Sequence, residues 1–246
     1  MMPAMRRRLA WWTLVGAGWL AAPAAALPPL VMVVDTSAVM PEARSVGERV
    51  LEGLHSDLGA AFARRLGREV QMKAVPRKRI AQELETGRAD LVCDYQPAWL
   101  PGPFRWSRAF IPDQTVLIGP ASAPAPGGLA AVAGSRVGTV LGYAYPEVAS
   151  ALGEGFVRDD APDAIANLRK LALGRVPFAL TGRRLLDYRR RVGGFTLVLH
   201  PPLVVAEVLG QCGLSPHSDV SLTALNAAIS GLVAEGELAR ILGKYR

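Results

Sequence analysis

The chain holds only two cysteines, Cys93 and Cys212, and three histidines, His55, His200 and His217. No CxxC pair is present, and no histidine stands at ligand spacing from a cysteine or from another histidine. The common zinc signatures are therefore excluded, the histidines read as structural, and no metal or cofactor is expected. No nucleophile sits at a telling distance from a base, so the sequence offers no catalytic constellation and the expectation is a protein that is not an enzyme. Internal repeats and low-complexity tracts are missing, which excludes solenoid and array folds. After the first 26 residues, no stretch is long and apolar enough to cross a bilayer. A strong charge of one sign is lacking too. The formal +7 includes three arginines near the N-terminus, and the remainder carries +4. The basic residues are dispersed except for RRLLDYRRR, residues 183–191, which reads as the solvated face of a helix. No nucleic-acid-binding motif accompanies it, and nucleic acid is not an expected partner.

What is present begins with a leader. MMPAMRRR gives a positive head, Leu9 to Leu20 an apolar run, and Ala24-Ala25-Ala26 the small residues of a cleavage site. Residues 1–26 are expected to be a secretory signal cleaved after Ala26, with an uncleaved anchor as the alternative. No cysteine stands near that site to carry a lipid. The expected location is outside the cytoplasm. In that oxidising compartment Cys93 and Cys212 either pair or remain thiols, and their spacing alone leaves both open.

The following 220 residues suit one large domain or two small ones. Val31 to Val34 is a continuous apolar run of the kind a buried parallel strand shows, and it ends in Asp35. Leu51, Leu54, Leu58, Ala61, Phe62 and Leu66 recur at helical spacing up to Gly67. Val70, Met72 and Ala74 alternate as a strand, RKRIAQELETG reads as a short helix, and ADLVCD as a third strand. That order predicts a parallel sheet with helices on both faces. QTVLIG is a further strand and ASAPAPGG a surface linker. A second α/β unit follows. It comprises a strand before Gly142, a helix opened by Pro146, a helix capped by Asp160, the strand RVPFALTG, the helix over 183–194 and a strand over FTLVLHPP. VVAEVLGQCGLSP is a last strand, and the C-terminal segment is one helix broken near Gly236 or a pair.

Residues 91–107, LVCDYQPAWLPGPFRWS, start as a strand and then pack Tyr95, Trp99, Phe104 and Trp106 among three prolines. The prolines exclude a helix or an inner strand there. The rings either wall a site or anchor the loop to its own core.

The segments GLHSDLGAAFARRLG, VPRKRIAQELETGRADLV, FRWSRAFI before TVLIG, SRVGTVLGYAYP, NLRKLALGRVPFALT and LNAAISGLVAEGELARILGKY stand in a familiar order. In that ordered set the chain resembles the amino-acid-binding class of periplasmic solute-binding proteins of ABC importers, over essentially all of the chain after the leader. The resemblance implies a type II fold of two α/β lobes, each a mixed, mostly parallel sheet flanked by helices. Lobe one would span residues 27–118 and 208–246 and lobe two 119–207, with two crossing strands and a ligand between the lobes. It also implies a monomer, a small-molecule solute and a membrane permease as partner. The family's sheet order would set the strand of Cys93 beside that of Cys212, which makes a disulfide feasible.

Aligned on Trp106-Ser107, the family's carboxylate-gripping arginine falls at Leu100, and its ammonium-binding acid falls at Gly182 after Thr181. Both charges are absent, so standard free α-amino acids are not expected as tight ligands; Arg77 or Arg105 could replace the missing arginine. The candidate ligand-binding residues are Asp35, Arg77, Asp94, Tyr95, Trp99, Arg105, Tyr143, Tyr145 and Thr181. Asp35 reads equally as a strand-end cap, and Tyr143 and Tyr145 as surface turn aromatics. The functional expectation is capture of a small polar organic solute for an importer. Its alternatives are a sensory protein that reports occupancy to a membrane partner, or a small-molecule dehydratase on the same fold.

Overall fold

The computed structural model describes residues 27–245, and the expected leader lies outside the described residues. Strand β1 (Leu30–Asp35) is buried on both faces, as its unbroken apolar run requires. A polar, largely exposed hairpin follows, β2 (Arg44–Val46) and β3 (Arg49–Glu52). Helix α1 (Leu54–Leu66) therefore starts later than the periodicity suggests, and Leu51 lies exposed on β3 instead of facing the core. Gly53 sets that limit. Its φ is 123°, and a Cβ there would sit 2.7 Å from the Cα of Ala43. The chain continues with β4 (Val70–Val75), α2 (Arg77–Glu85), β5 (Leu91–Tyr95) and the short β6 (Arg105–Trp106).

Next come β7 (Ile111–Ile118), β8 (Arg136–Val140), α3 (Pro146–Leu152), β9 (Val157–Ala161), α4 (Ala164–Ala172), β10 (Phe178–Gly182) and α5 (Arg183–Arg191). The twelve-residue β11 (Leu203–Leu214) leads into α6 (Leu222–Ala234) and α7 (Glu237–Gly243), with Gly236 in the left-handed region between them. The C-terminal segment is thus a helix pair.

The strands hydrogen-bond in the order β2-β3-β4-β1-β5-β11-β7-β10-β8-β9, and β6 also pairs with β11. Parallel neighbours form the centre of each half: β4, β1 and β5 in one, β10, β8 and β9 in the other. The long β11 runs antiparallel to β5 through Leu214 and to β7 through Leu203, so it belongs to both halves. The buried side chains divide accordingly. Two apolar clusters lie on the two faces of the first sheet half, around Phe62 and Leu214 and around Ile80 and Val92. Two more flank the second half, around Val116 and Leu186 and around Leu117 and Val137.

Two local expectations are corrected. The N-cap of α4 is Asp163, whose carboxylate accepts from the Ala166 N–H at 2.8 Å, while Asp160 belongs to β9 and accepts from Thr139 and Arg158. The strand β9 itself is polar and half exposed, so its sequence carries no alternation to announce it. FTLVLHPP is not a strand; only Leu199 forms a bridge, to Pro120. Its pairing is confined to the residues just after β7, through the Ala121 N–H to the Val198 carbonyl at 2.9 Å and the His200 N–H to the Gly119 carbonyl at 3.1 Å, while its alternate residues Phe195, Leu197 and Leu199 pack into an apolar cluster.

Candidate ligand-binding cleft

A cavity of about 170 Å3 lies at the carboxyl ends of β5, β8 and β10, where open parallel sheets generally hold ligands. Its walls come from both halves and from the crossing strands. Tyr95 ends β5, and Trp99 follows on a turn that Pro97 opens, stiffened by the Trp99 N–H donating to the Gln96 carbonyl at 2.9 Å. Tyr143 and Tyr145 face them from the turn after β8. All four predicted rings thus reach one cavity, and the indole N–H of Trp99 is buried there without an acceptor among the described residues. Tyr145 also accepts from the Val140 N–H at 3.1 Å, which fixes its ring. Phe104 and Trp106 do the other work the loop could do. Phe104 is buried in the lobe-one core, and Trp106 covers the face of Gly213, where a Cβ would lie 3.2 Å from the indole.

Arg77 extends from the first turn of α2 across the cleft. Its Nε donates to the Gly142 carbonyl at 2.8 Å and Nη1 to the Tyr95 hydroxyl at 3.0 Å. Its guanidinium lies over the rings of Tyr143 and Tyr95, 4.5 and 5.0 Å from their centroids. Contacts of this kind are worth roughly 0.5–2 kcal/mol each. Asp35 stands behind, 3.7 Å from Nη1, and accepts from the Ser37 N–H at 2.9 Å; it backs Arg77 and does not line the cavity. Arg105 is not brought to the cleft at all. Its guanidinium donates to the carbonyls of Ser215 and Ser218 at 2.8 and 3.2 Å, because β6 pairs with the far end of β11 and turns the side chain to the loop beyond it.

The centre of the site was not visible in the sequence. Arg184, the second residue of α5, is buried and bonds the Glu42 carboxylate through Nε and Nη2 at 2.9 and 3.1 Å. Nη2 also donates to Asp94, and the Arg184 backbone N–H donates to Asp113 at 3.0 Å. One guanidinium from lobe two thus ties together three carboxylates, two of lobe one and one on crossing strand β7. Burial works against the charge of Arg184, but Asp94, Glu42 and Asp113 outweigh it and the net shift of its pKa is upward. Burial pushes Glu42 up to about 7, with Arg184 opposing and Asp94 adding to the rise. Burial likewise raises Asp113. The run 183–191 is therefore a solvated face only in part: charge pattern alone sent Arg184 outward, whereas α5 meets the cleft end-on and its first turn projects inward.

Asp94 is the sole non-glycine residue at positive φ (62°) among the described residues. That conformation costs roughly 1–2 kcal/mol for an L-residue, least for Asp and Asn. The backbone around it is arranged to match. A Cβ at Gly210 would stand 2.4 Å from Asp94 Oδ1, and β11 bulges between Gln211 and Cys212. Immediately before Asp94, Cys93 is disulfide-bonded to Cys212, 119 residues away, with the Cα atoms 4.0 Å apart on paired strands.

His55, read as structural, comes within the same cluster. Its ligand atom and those of Glu42 and Asp94 lie within 4.8 Å of one another, a donor set that could hold a divalent ion. Burial lowers the imidazole pKa, against the opposing pull of Asp94. Arg184 already bonds both carboxylates of that set, and an ion would compete with its guanidinium. Leu100 is buried in the lobe-one core, and Gly182 lines the cavity beside Thr181.

No protein-family model and no curated protein matches the sequence. Solved structures do match its fold. An ancestral arginine-binding protein bound to arginine superposes with a TM-score of 0.71 at 19% identity, over 88% of this chain and 97% of that one. The substrate-binding protein of an amino acid ABC transporter gives 0.68 at 16% identity, over 89% and 99%. The periplasmic VFT2 domain of Bordetella pertussis BvgS gives 0.72 at 16% identity, over 89% and 94%. Strand order, two-lobed core and these superpositions together show that the chain has the two-lobe, type II periplasmic-binding-protein fold.

Proposed function

We propose that this protein captures a small organic solute between its lobes, outside the cytoplasm, and presents the occupied form to a membrane partner. The observation that carries the reading is the cavity of about 170 Å3, whose aromatic and charged walls come from both lobes and both crossing strands. Such a site is completed only when the halves meet, which is how hinge closure couples binding to shape. We place the halves at residues 27–118 with 208–246 and at 119–207, and the hinge in β7 and β11. The protein acts as a monomer, and the partner is the permease of an ABC importer, by analogy with the transporter-associated protein of like fold. A second reading, delivery of occupancy to a sensor in the membrane, is supported by the likeness to the BvgS domain.

Standard free α-amino acids are not its tight ligands in this reading. The carboxylate-gripping position is the buried Leu100, and Arg77 donates through Nε and Nη1 to Gly142 and Tyr95, which leaves only Nη2 unpaired among the described residues. Carboxylate clamps depend on a free guanidinium fork. A thermal-shift screen of a metabolite library tests the whole reading. A solute at a hundred times its dissociation constant adds about 2.7 kcal/mol and raises Tm measurably. A library without a single stabilising solute would refute capture, and titration calorimetry showing a common amino acid bound at micromolar strength or better would refute the exclusion.

A further inference from the structure

Gly182 ends β10 with φ −69° and ψ 138°, a conformation open to any residue, so the backbone does not call for glycine. Space does. A Cβ at Gly182 would lie 2.9 Å from Asp113 Oδ2. The other oxygen of Asp113 is engaged, accepting from the Gln114 and Arg184 backbone N–H groups at 2.8 and 3.0 Å. Oδ2 accepts no hydrogen bond among the described residues; Arg184 Nη2 is 3.8 Å away, an ion-pair distance too long for one. Thr181 lines the same wall. It is only 6% exposed, and its hydroxyl has a single partner, the Gly182 carbonyl at the long limit of 3.5 Å. A buried hydroxyl so poorly paired is short of a hydrogen-bond partner.

The electrostatics point the same way. Around Arg184 three carboxylates meet one guanidinium, and the neighbouring His55 imidazole is buried and brings no hydrogen-bonded countercharge. The cavity thus offers the unpaired acceptor Asp113 Oδ2 beside aromatic walls, a combination that favours an organic cation. No two-pronged cationic group in it is left over for a ligand carboxylate: Arg184 is engaged, and Arg77 keeps only Nη2 without a hydrogen-bond partner among the described residues.

We propose that the cleft takes a small organic amine, its ammonium held by Asp113 Oδ2 and the Thr181 hydroxyl, with Gly182 keeping that place open. This inference rests on the solute-binding reading above.

The test uses matched pairs of an amine and its parent amino acid: agmatine and arginine, tyramine and tyrosine, histamine and histidine, cadaverine and lysine. Each is measured on the whole secreted protein by thermal shift and calorimetry. At least one amine should bind about tenfold or more tightly than its parent amino acid. Asp113→Asn, which keeps the oxygen that accepts from Arg184, should weaken that amine by about tenfold or more, and Gly182→Ala should do the same by filling the space. Amine binding that survives both variants overturns the proposal, as does a series in which carboxylate-bearing or neutral solutes bind and amines do not; in that last case the capture reading stands. Silence from every compound, including the metabolite library, overturns the capture reading and this proposal with it.

Discussion

Arg184 decides the character of the cleft, and its removal has a calculable direction. Without it Glu42, Asp94 and Asp113 face one another with no guanidinium between them. Stranding a buried charge in this way costs about 3–5 kcal/mol. We expect Arg184→Met to lose stability of that order in urea denaturation at pH 8, and less at pH 5, where Glu42, whose pKa burial raises, takes up its proton. Glu42 gives a separate pH signature. It holds its proton up to about pH 7 when folded, against 4.5 as the ordinary value. Between those values the folded chain binds more protons than the unfolded one, so the contribution of Glu42 to stability declines as pH rises through the window and is level above it. The unfolding free energy of Glu42→Gln relative to the parent should therefore improve from pH 4.5 to about 7 and then flatten. A difference that stays constant with pH would contradict the upward shift.

Among the elements, β5 and β11 carry the most consequence, because the Cys93–Cys212 bridge joins them just before Asp94. Closing a loop of 119 residues restricts the unfolded chain, an effect of at most about 5 kcal/mol by the polymer argument. We expect Cys93→Ala with Cys212→Ala to lower stability by up to that amount, and thiol titration of denatured, unreduced protein to find no free thiol. The elements also show where sequence reasoning works. Buried runs such as Val31 to Val34, and helices with an apolar stripe such as α1, announce themselves because one physical requirement dominates their composition. β9 and the β2–β3 hairpin do not, since polar edge strands need no alternation. FTLVLHPP carries a strand pattern without becoming a strand, because pattern reports burial and not hydrogen-bond pairing. The aromatic residues of the cleft were legible, lying where a strand ends. Glu42, Asp113 and Arg184 were not: they come from a loop, a crossing strand and a helix start, and no spacing along the chain predicts that three such places meet. Arg105 failed for the converse reason, since closeness in sequence to Tyr95 and Trp99 did not survive the turn into β6.

For the molecule as a whole, the halves are joined by side chains as well as by strands. Arg77 reaches from α2 to the Gly142 carbonyl, and Arg184 from α5 to Glu42 and Asp94. Removing the first link while keeping the charge cluster should loosen closure without unfolding either half. We expect Arg77→Ala to show a larger radius of gyration than the parent in small-angle X-ray scattering, with an unchanged far-ultraviolet circular dichroism spectrum. Equal radii would show that Arg77 does not hold the halves together.

The covalent bond to Cys212 carries a last implication for movement. It rivets the distal part of β11 to the floor of lobe one, so that part cannot flex independently. We expect any swing of lobe two to pivot upstream of the rivet, over residues 203–209, which pair with β7 and not with β5. One half is then the anvil and the other the moving jaw, and a membrane partner able to tell full from empty would have to feel the jaw.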